Sequence, residues 1–420
     1  MEVGKIGLPK IVVEKLPTYE HSYSTQLYLQ FHKAVRETEF GRKVLQKLRA
    51  NKSVEALDGT MVKCGTLATR FDFERLAAWW LWRANEVGEE RADADLEVFL
   101  SSEHSDVLGV LWVYGVKPET TQPLTEDVAL MPVEEMPDSD DKEHILKSVL
   151  RPRVHPGVEV LPTAALVKRY RTTKVLRSPE EILGSDKGAT VRTRPEFEVQ
   201  THLHKVGLLL NCLPGVCCTS AYSTSYSPPE VPLGPFGGSG GGMSLRDIIP
   251  LRVSRLEQGH EATLSELIDK YQQLPERLTR RLERAMLRLA QAKGRLDLHD
   301  MALDLGIALE MLLLNTEHNR NELPGQLHLH FRLRGAWLIG TTAVERRDLF
   351  RVFGKIYSWR SQVAHNGFSD ELSGADPSTR NEIEEKIKQH FAVAERVFQA
   401  LIMRGTPDWQ ALVLGGEDEG

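Results

Sequence analysis

Arg360 and His365 stand with four residues between them in the stretch Thr342 to Gly367, TAVERRDLFRVFGKIYSWRSQVAHNG. Histidine is the side chain whose ordinary titration falls near neutral pH, so His365 is a natural carrier for a proton that must be taken up and released there. Spacing alone carries little. With 14 histidines in 420 residues, an R-x4-H match is expected about once by accident. A second one, Arg255 to His260 (RLEQGH), runs through a glycine-containing turn. What separates the two is the element that must carry the pair.

That element reads as one amphipathic helix. Thr342 followed by Glu345 has the form of a capping box, in which each residue satisfies an orphan backbone donor. Leu349, Val352, Phe353, Ile356 and Val363 recur at helical spacing and mark one buried stripe. Gly367 can take the left-handed conformation that closes a helix. His365 then lies in the last turn, where the carbonyl ends favour imidazolium and raise its pKa. Five residues along an ideal helix turn through about 500°, so Arg360 and His365 point about 140° apart. One copy makes a poor site. Two copies facing across a two-fold axis make a compact cleft with two arginines and two histidines.

The segment Arg360 to Gly367 (RSQVAHNG), preceded by Tyr357, resembles the end of the Apea-like branch of the HEPN superfamily. Upstream, ALDLGIALEMLLLN (302–315) is similar to that branch's Leu-Glu-containing helix, and ELPGQLHLHFRLRGAWLIG (322–340) to the helix after it. The likeness covers roughly residues 275 to 370. It departs at Asn366, which stands where the family's histidine is usually followed directly by glycine. The resemblance implies a cofactor-free, metal-independent endoribonuclease, dimeric, with the motif at the interface. In the implied mechanism His365 acts as general base or acid around the ribose 2′-hydroxyl. Arg360 stabilises the phosphorane by bidentate contact. Ser361 and Asn366 orient the imidazole or contact RNA, and the product carries a 2′,3′-cyclic phosphate. Such proteins act in bacterial defence against phage, by abortive infection or as toxins. Other HEPN domains are non-catalytic nucleotide-binding, scaffolding or antitoxin modules, in which the pair would only stabilise an interface or a helix end.

Two further features flank the motif. Arg277, Arg281, Arg284 and Arg288 share one helix face opposite Leu278, Leu282, Ala285 and Leu289. That stripe either grips RNA phosphates or is a solvated surface. Glu310 is the single charge in ALEMLLL; it either sits at the bundle's edge or buries against an arginine, Arg360 being the candidate. Around them the punctuation is helical. Thr263 with Glu266 forms a capping box, Pro275 opens a helix with Gly294 just beyond it, Asp297 caps the next, and Asp376 with Pro377 begins a last helix to Gly405. Short connections predict an antiparallel all-α bundle over 244–410, with 411–420 an acidic tail.

Residues 1–226 read as a mixed α/β domain, giving an α+β chain. Thr25–Ala50 and Asp72–Val87 carry helical periodicity, and Leu96–Leu100, Val107–Val116, Val128–Met131 and Val158–Leu161 read as strands. Pro118, Pro132, Pro137 and Pro162 break them. Trp79, Trp80, Trp82 and Trp112 read as core, and Asp138–Asp141 as an acidic turn. This half shows no catalytic constellation; the resemblance to the HEPN family implies that it is the sensor or restraint, answering to a phage-derived or regulatory trigger. His202, His204, Cys212, Cys217 and Cys218 are ligand types, but Cys212-x4-Cys217 is long for zinc and its LPGV filling is apolar. Buried thiols beside a strand-like THLH segment are the expectation. Residues 227–243, rich in Pro, Ser and Gly, lack the Lys and Ser/Thr of a phosphate loop and read as a linker whose tip is protease-sensitive.

Composition bounds the rest. A hydrophobic fraction of 41% supports ordinary globular cores, and four cysteines imply no disulfide framework. With no signal-peptide core and no apolar run of membrane length, a reducing cytoplasm and no membrane partner are expected. A net charge of −6 confines any RNA contact to a local basic patch.

Overall fold

The computed structural model describes residues 26–64, 67–137, 142, 153–155, 158–159, 161–177, 194–232, 241–243, 250, 252–314, 326–373 and 377–414. Short polar side chains set the first helices. Helix α1 (Gln26–Glu37) ends at Thr38, whose hydroxyl accepts from the Gly41 amide and caps α2 (Glu39–Arg49). Asn51 does the same for α3 (Lys52–Glu55) through the Ser53 amide, and Asp72 for α4 (Phe73–Val87) through that of Arg75. Such caps replace the missing intrahelical acceptor of the first turn. Gly88, at φ 90°, then breaks the chain into α5 (Glu89–Ser101).

The strands that follow are β1 (Met61–Cys64), β2 (Leu67–Arg70), β3 (His104–Tyr114), β4 (Val116–Lys117), β5 (Gln122–Pro123), β6 (Val128–Pro132), β7 (Arg153–His155), β8 (Val158–Glu159) and β9 (Ala164–Arg177). Helix α6 (Arg194–Leu209) leads to β10 (Thr219–Tyr226), β11 (Gly241–Met243) and β12 (Ser254–Arg255). The main sheet runs β11-β10-β3-β9-β1-β2, with β6 also on β9 and β5 on β6. Strand β9 is its spine, antiparallel to β1 (Met61↔Arg177) and to β6 (Val128↔Lys168).

Among the described residues seven helices follow: α7 (His260–Gln273), α8 (Glu276–Gly294), α9 (Leu298–Leu313), α10 (Leu327–Ile339), α11 (Ala343–Asn366), α12 (Pro377–Arg404) and α13 (Trp409–Leu414). The chain is therefore mixed α and β, with its main sheet in the N-terminal half and helices in the C-terminal half. Among the described residues, no helix is long and apolar enough to cross a membrane.

Two compact units emerge, and neither is a continuous stretch of chain. The first takes Met1–Trp112, Asp127–Leu203 and Tyr222–Ser244; the second takes Val113–Glu126, His204–Ala221 and Leu245–Gly420. In the first, Trp79, Trp80 and Trp82 lie in one core with α1, α2, α5 and Val231, as their apolar spacing implies. Trp112 joins a second core with Val110, Met136 and Val167. In the second unit, Leu298, Ala302, Trp359, Val363, Leu372, Ile383 and Ile387 pack together.

Several expectations are corrected. Leu96–Leu100 is helical, inside α5, because Leu96 and Phe99 reach the core at a spacing that also suits a helix. Thr201–His204 belongs to α6 and is not strand-like. Helix α7 begins at His260, three residues before Thr263, with Gly259 as its cap at φ 90°. The acidic tail starts later than residue 411, since Trp409–Leu414 is a helix with Trp409 buried. The start of the proline-rich stretch is packed: the Pro229 carbonyl accepts from Trp79 Nε1 at 3.0 Å and Val231 is buried. Gly241–Met243 forms β11. Asp138–Asp141, the remainder of the stretch at 233–240, and 415–420 lie outside the described residues.

Candidate active site

Helix α11 carries the motif. At its start the Thr342 hydroxyl accepts from the Glu345 amide at 3.1 Å. The reciprocal bond slips by one residue: Glu345 Oε2 accepts from the amide and hydroxyl of Thr341, each at 2.9 Å. Glu345 Oε1 also pairs with Arg396 Nη2 at 2.6 Å. The Thr341 amide foremost, then Arg396, hold the Glu345 carboxyl down at about 2. Leu349, Phe353, Ile356, Trp359 and Val363 form the buried stripe. Val352, expected in it, is only half-buried. Trp359 takes the deeper position and donates from Nε1 to Glu371 at 2.9 Å.

Gly367 closes the helix in the left-handed conformation, φ 79°, its amide donating to Val363 O at 2.9 Å. Asn366 is thus still helical, and the ideal-helix geometry holds from Arg360 to His365. The two side chains diverge, and one chain does not unite them. His365 and Asn366 are exposed and Ser361 is half-buried. No hydrogen bond joins Ser361 or Asn366 to the imidazole among the described residues, so neither orients it within one chain.

Arg360 is the anchored member. Its stem lies over Gly306, where a Cβ would stand 2.4 Å from Arg360 Cβ. Its Nη2 meets Glu310 Oε2 at 2.6 Å, both side chains being mostly buried. Of the two places open to Glu310 from sequence, it takes the one against Arg360. Arg360 Nε is shielded and has no hydrogen-bond partner. Burial pushes the Glu310 carboxyl up, opposed by the Arg360 charge and hydrogen bond. One turn before Arg360, the Tyr357 ring lies 4.8 Å from that of His328 and 5.4 Å from that of Phe331, between centroids. Its phenol is raised by burial foremost, with Glu310 adding and Arg360 opposing.

The arginine stripe on α8 is divided in use. Arg277 and Arg284 are exposed. Arg281 Nη2 donates to Thr406 Oγ1 at 2.7 Å, and burial foremost lowers its pKa. Arg288 Nη1 pairs with the buried Asp304 at 3.1 Å, and Arg295 Nε takes that carboxylate's other oxygen at 3.0 Å. Arg288 and Arg281 thus brace α8 against its neighbours.

Cys212 and Cys218 are buried and Cys217 is half-buried. Burial pushes the Cys212 thiol to about 12 and that of Cys217 to about 11, and raises Cys218 further. Asn211 ties the segment locally, its Oδ1 accepting from the Cys218 amide at 3.0 Å. Among the described residues, no group of three or more His, Cys, Asp or Glu side chains could hold a metal ion.

Three residues of this region escaped the sequence. Asp304 and Gly306 sit inside an apolar helical run, where the only available signal was that a small residue and a charge interrupt it. His328 carried none, because stacking partners are not encoded by spacing. No family model matches the chain, and no curated protein and no solved structure matches it.

Proposed function

We propose that the chain is a metal-independent HEPN-type endoribonuclease acting in bacterial anti-phage defence, as an abortive-infection effector or toxin. Its site is a cleft between two copies, each contributing Arg360 and His365. The observation that carries this reading is Arg360 itself: a half-buried cation anchored by Gly306 and Glu310, five residues before an exposed histidine on the same helix. Because the two side chains diverge by about 140°, the second copy is what brings a guanidinium and an imidazole onto one phosphodiester.

In this cleft the Arg360 guanidinium, held through Nη2 by Glu310, faces the non-bridging oxygens and stabilises the phosphorane. His365 moves a proton at the ribose or at the leaving oxygen. The products are a 2′,3′-cyclic phosphate and a 5′-hydroxyl. Exposed Arg277 and Arg284 extend the electrostatic footprint for RNA on an otherwise acidic protein. The first unit senses a phage-derived or regulatory trigger.

The Glu310 pairing favours a second reading, a non-catalytic HEPN module in which Arg360 is spent on a structural ion pair. Expression beside Arg360→Ala and His365→Ala variants separates the two. RNA cleavage and growth arrest that vanish in both folded variants support the enzyme. Identical behaviour of all three proteins, or a strictly monomeric wild type, ends the proposal.

A further inference from the structure

Resting on the ribonuclease reading, we propose that His328 is the general base of the site, leaving His365 as the general acid. Phosphodiester transesterification moves two protons, one off the 2′-hydroxyl and one onto the departing 5′-oxygen, and two groups in unlike environments divide that work best. Helix α11 supplies only one histidine near Arg360, and it stands in water at the helix end.

The second comes from α10. The His328 ring stacks on Tyr357 at 4.8 Å and 30°, and Tyr357 is the residue on which the charges of both Glu310 and Arg360 bear. His328 therefore packs on α11 one turn before Arg360, on a face about 60° from Arg360 and about 80° from His365 on an ideal helix. It is half-buried, Nε2 is shielded, and neither ring nitrogen makes a hydrogen bond among the described residues, so Nδ1 is the nitrogen left to take a proton. Buried polar groups are normally paired, and an unpaired imidazole calls for an explanation, a catalytic role among them. Burial foremost, then the neighbouring Arg332, lowers the pKa of this imidazole, which favours the neutral form that can accept a proton.

The step balances without an added reagent. The 2′-hydroxyl proton passes to His328 as the 2′-oxygen bonds to phosphorus. The bond from phosphorus to the 5′-oxygen breaks, and that oxygen takes a proton from the imidazolium of His365. Solvent exchange returns both histidines to their starting forms, and nothing is oxidised or reduced.

The test is RNA cleavage by the full-length protein and its His328→Phe, His328→Gln, His365→Ala and Arg360→Ala variants, on an ordinary oligoribonucleotide and on one with a 5′-bridging sulfur. His328→Phe keeps a ring on Tyr357 and removes the proton carrier. The expected result is a kcat about 10²- to 10⁴-fold lower in both His328 variants with KM little changed. The sulfur leaving group needs no acid, so it restores His365→Ala and leaves the His328 variants slow. Cleavage by His328→Phe within about threefold of wild type, with Arg360→Ala and His365→Ala inactive, overturns the role of His328 and leaves the ribonuclease reading standing. A wild type as inert as its variants overturns both. Should both His328 variants unfold, the imidazole signal of His328 is followed by NMR in the wild type during titration with an oligonucleotide lacking the 2′-hydroxyl at the cleavage position. A saturable shift supports the role, and an unmoved signal rejects it.

Discussion

Gly306 leaves room on α9 for the stem of Arg360: a Cβ there would meet Arg360 Cβ at 2.4 Å and Cγ at 2.5 Å. The arginine's stem is packed before its guanidinium reaches Glu310. Gly306→Ala must therefore push the helices apart or lift the arginine. Overpacking of this kind costs about 1–3 kcal/mol, offset by roughly 1 kcal/mol from alanine's better helix propensity. A small fall in the urea midpoint is expected and, on the proposed ribonuclease reading, a larger fall in RNA cleavage, since Arg360 leaves its aim. Glu310→Gln keeps the volume and removes the charge, and should cost cleavage more than stability. Wild-type values of both quantities in Gly306→Ala would show that the close approach has no consequence.

Lys293 makes a second test of the helical unit. Its Nζ meets Glu395 Oε1 at 2.6 Å, with both side chains no more than 5% exposed. It also donates to the carbonyls of Asn211 and Val216, at 2.8 and 2.7 Å. Glu395 Oε1 in turn accepts from the Gly215 amide at 3.3 Å, and burial raises the Glu395 carboxyl against the Lys293 charge. A fully satisfied buried pair contributes little net stability, but breaking it strands a charge at about 3–5 kcal/mol. Lys293→Met should show that loss in chemical denaturation, and Lys293→Met with Glu395→Leu should recover much of it. Equal stability of the single and double variants would contradict the stranded-charge account. A chain beginning at Leu245 lacks the Asn211–Val216 partners and is expected not to unfold cooperatively.

The same pair explains what the sequence could and could not reveal. Helix α11 and its two ends were legible, because caps and periodicity are local signals; the lone charge of Glu310 in an apolar run left two placements open, and only the approach of Arg360 selects one. The unit boundary was not. A proline- and glycine-rich run looks like a tether, yet Val231 is buried and Pro229 binds Trp79, and residues 204–221 pack with the helices. Those contacts join positions far apart in the chain, 150 residues for Trp79 and Pro229 and 82 for Asn211 and Lys293, and leave no periodic trace. Leu96–Leu100 shows the other failure: five residues with apolar ends fit a strand or a helix, and the burial of Leu96 and Phe99, with Asp95 of α5 paired to Arg83 of α4, depends on partners from other elements. The arginine stripe was placed on one helix, but the engagement of Arg288 by Asp304 and of Arg281 by Thr406 depends on partners that arrive from elsewhere in the unit.

His390 sets a pH dependence. It is buried beside Trp359, ring centroids 4.9 Å apart, and burial foremost, aided by Lys355 and Lys386, lowers its pKa to about 4. The unfolded chain, with an ordinary histidine near 6.5, binds the proton more readily between those values. Its contribution is therefore fully present above about pH 6.5, falls as the pH drops toward 4 and changes no further below that. The span is on the order of 3 kcal/mol at most. Urea midpoints measured from pH 7.5 to 4 should fall more steeply for the wild type than for His390→Phe. Parallel slopes would mean that His390 is already hydrated in the native state.

Gly367 decides how His365 is presented. Its φ of 79° is left-handed, and a Cβ there meets nothing within 4 Å. Any penalty for substitution is then one of backbone conformation and not of space. Gly367→Ala should cost about 1–2 kcal/mol, while Gly367→Asn, which tolerates that conformation better, should cost less. If the alanine variant relieves its strain by unwinding the last turn, Asn366 and His365 leave the helix and cleavage changes while the core at Trp359 and Val363 does not. Thermal unfolding of the three proteins orders the backbone cost, and cleavage rates report the histidine. An alanine variant as stable as the asparagine one would show that the turn re-forms without the left-handed residue, and the fixed divergence of Arg360 and His365 would lose its support.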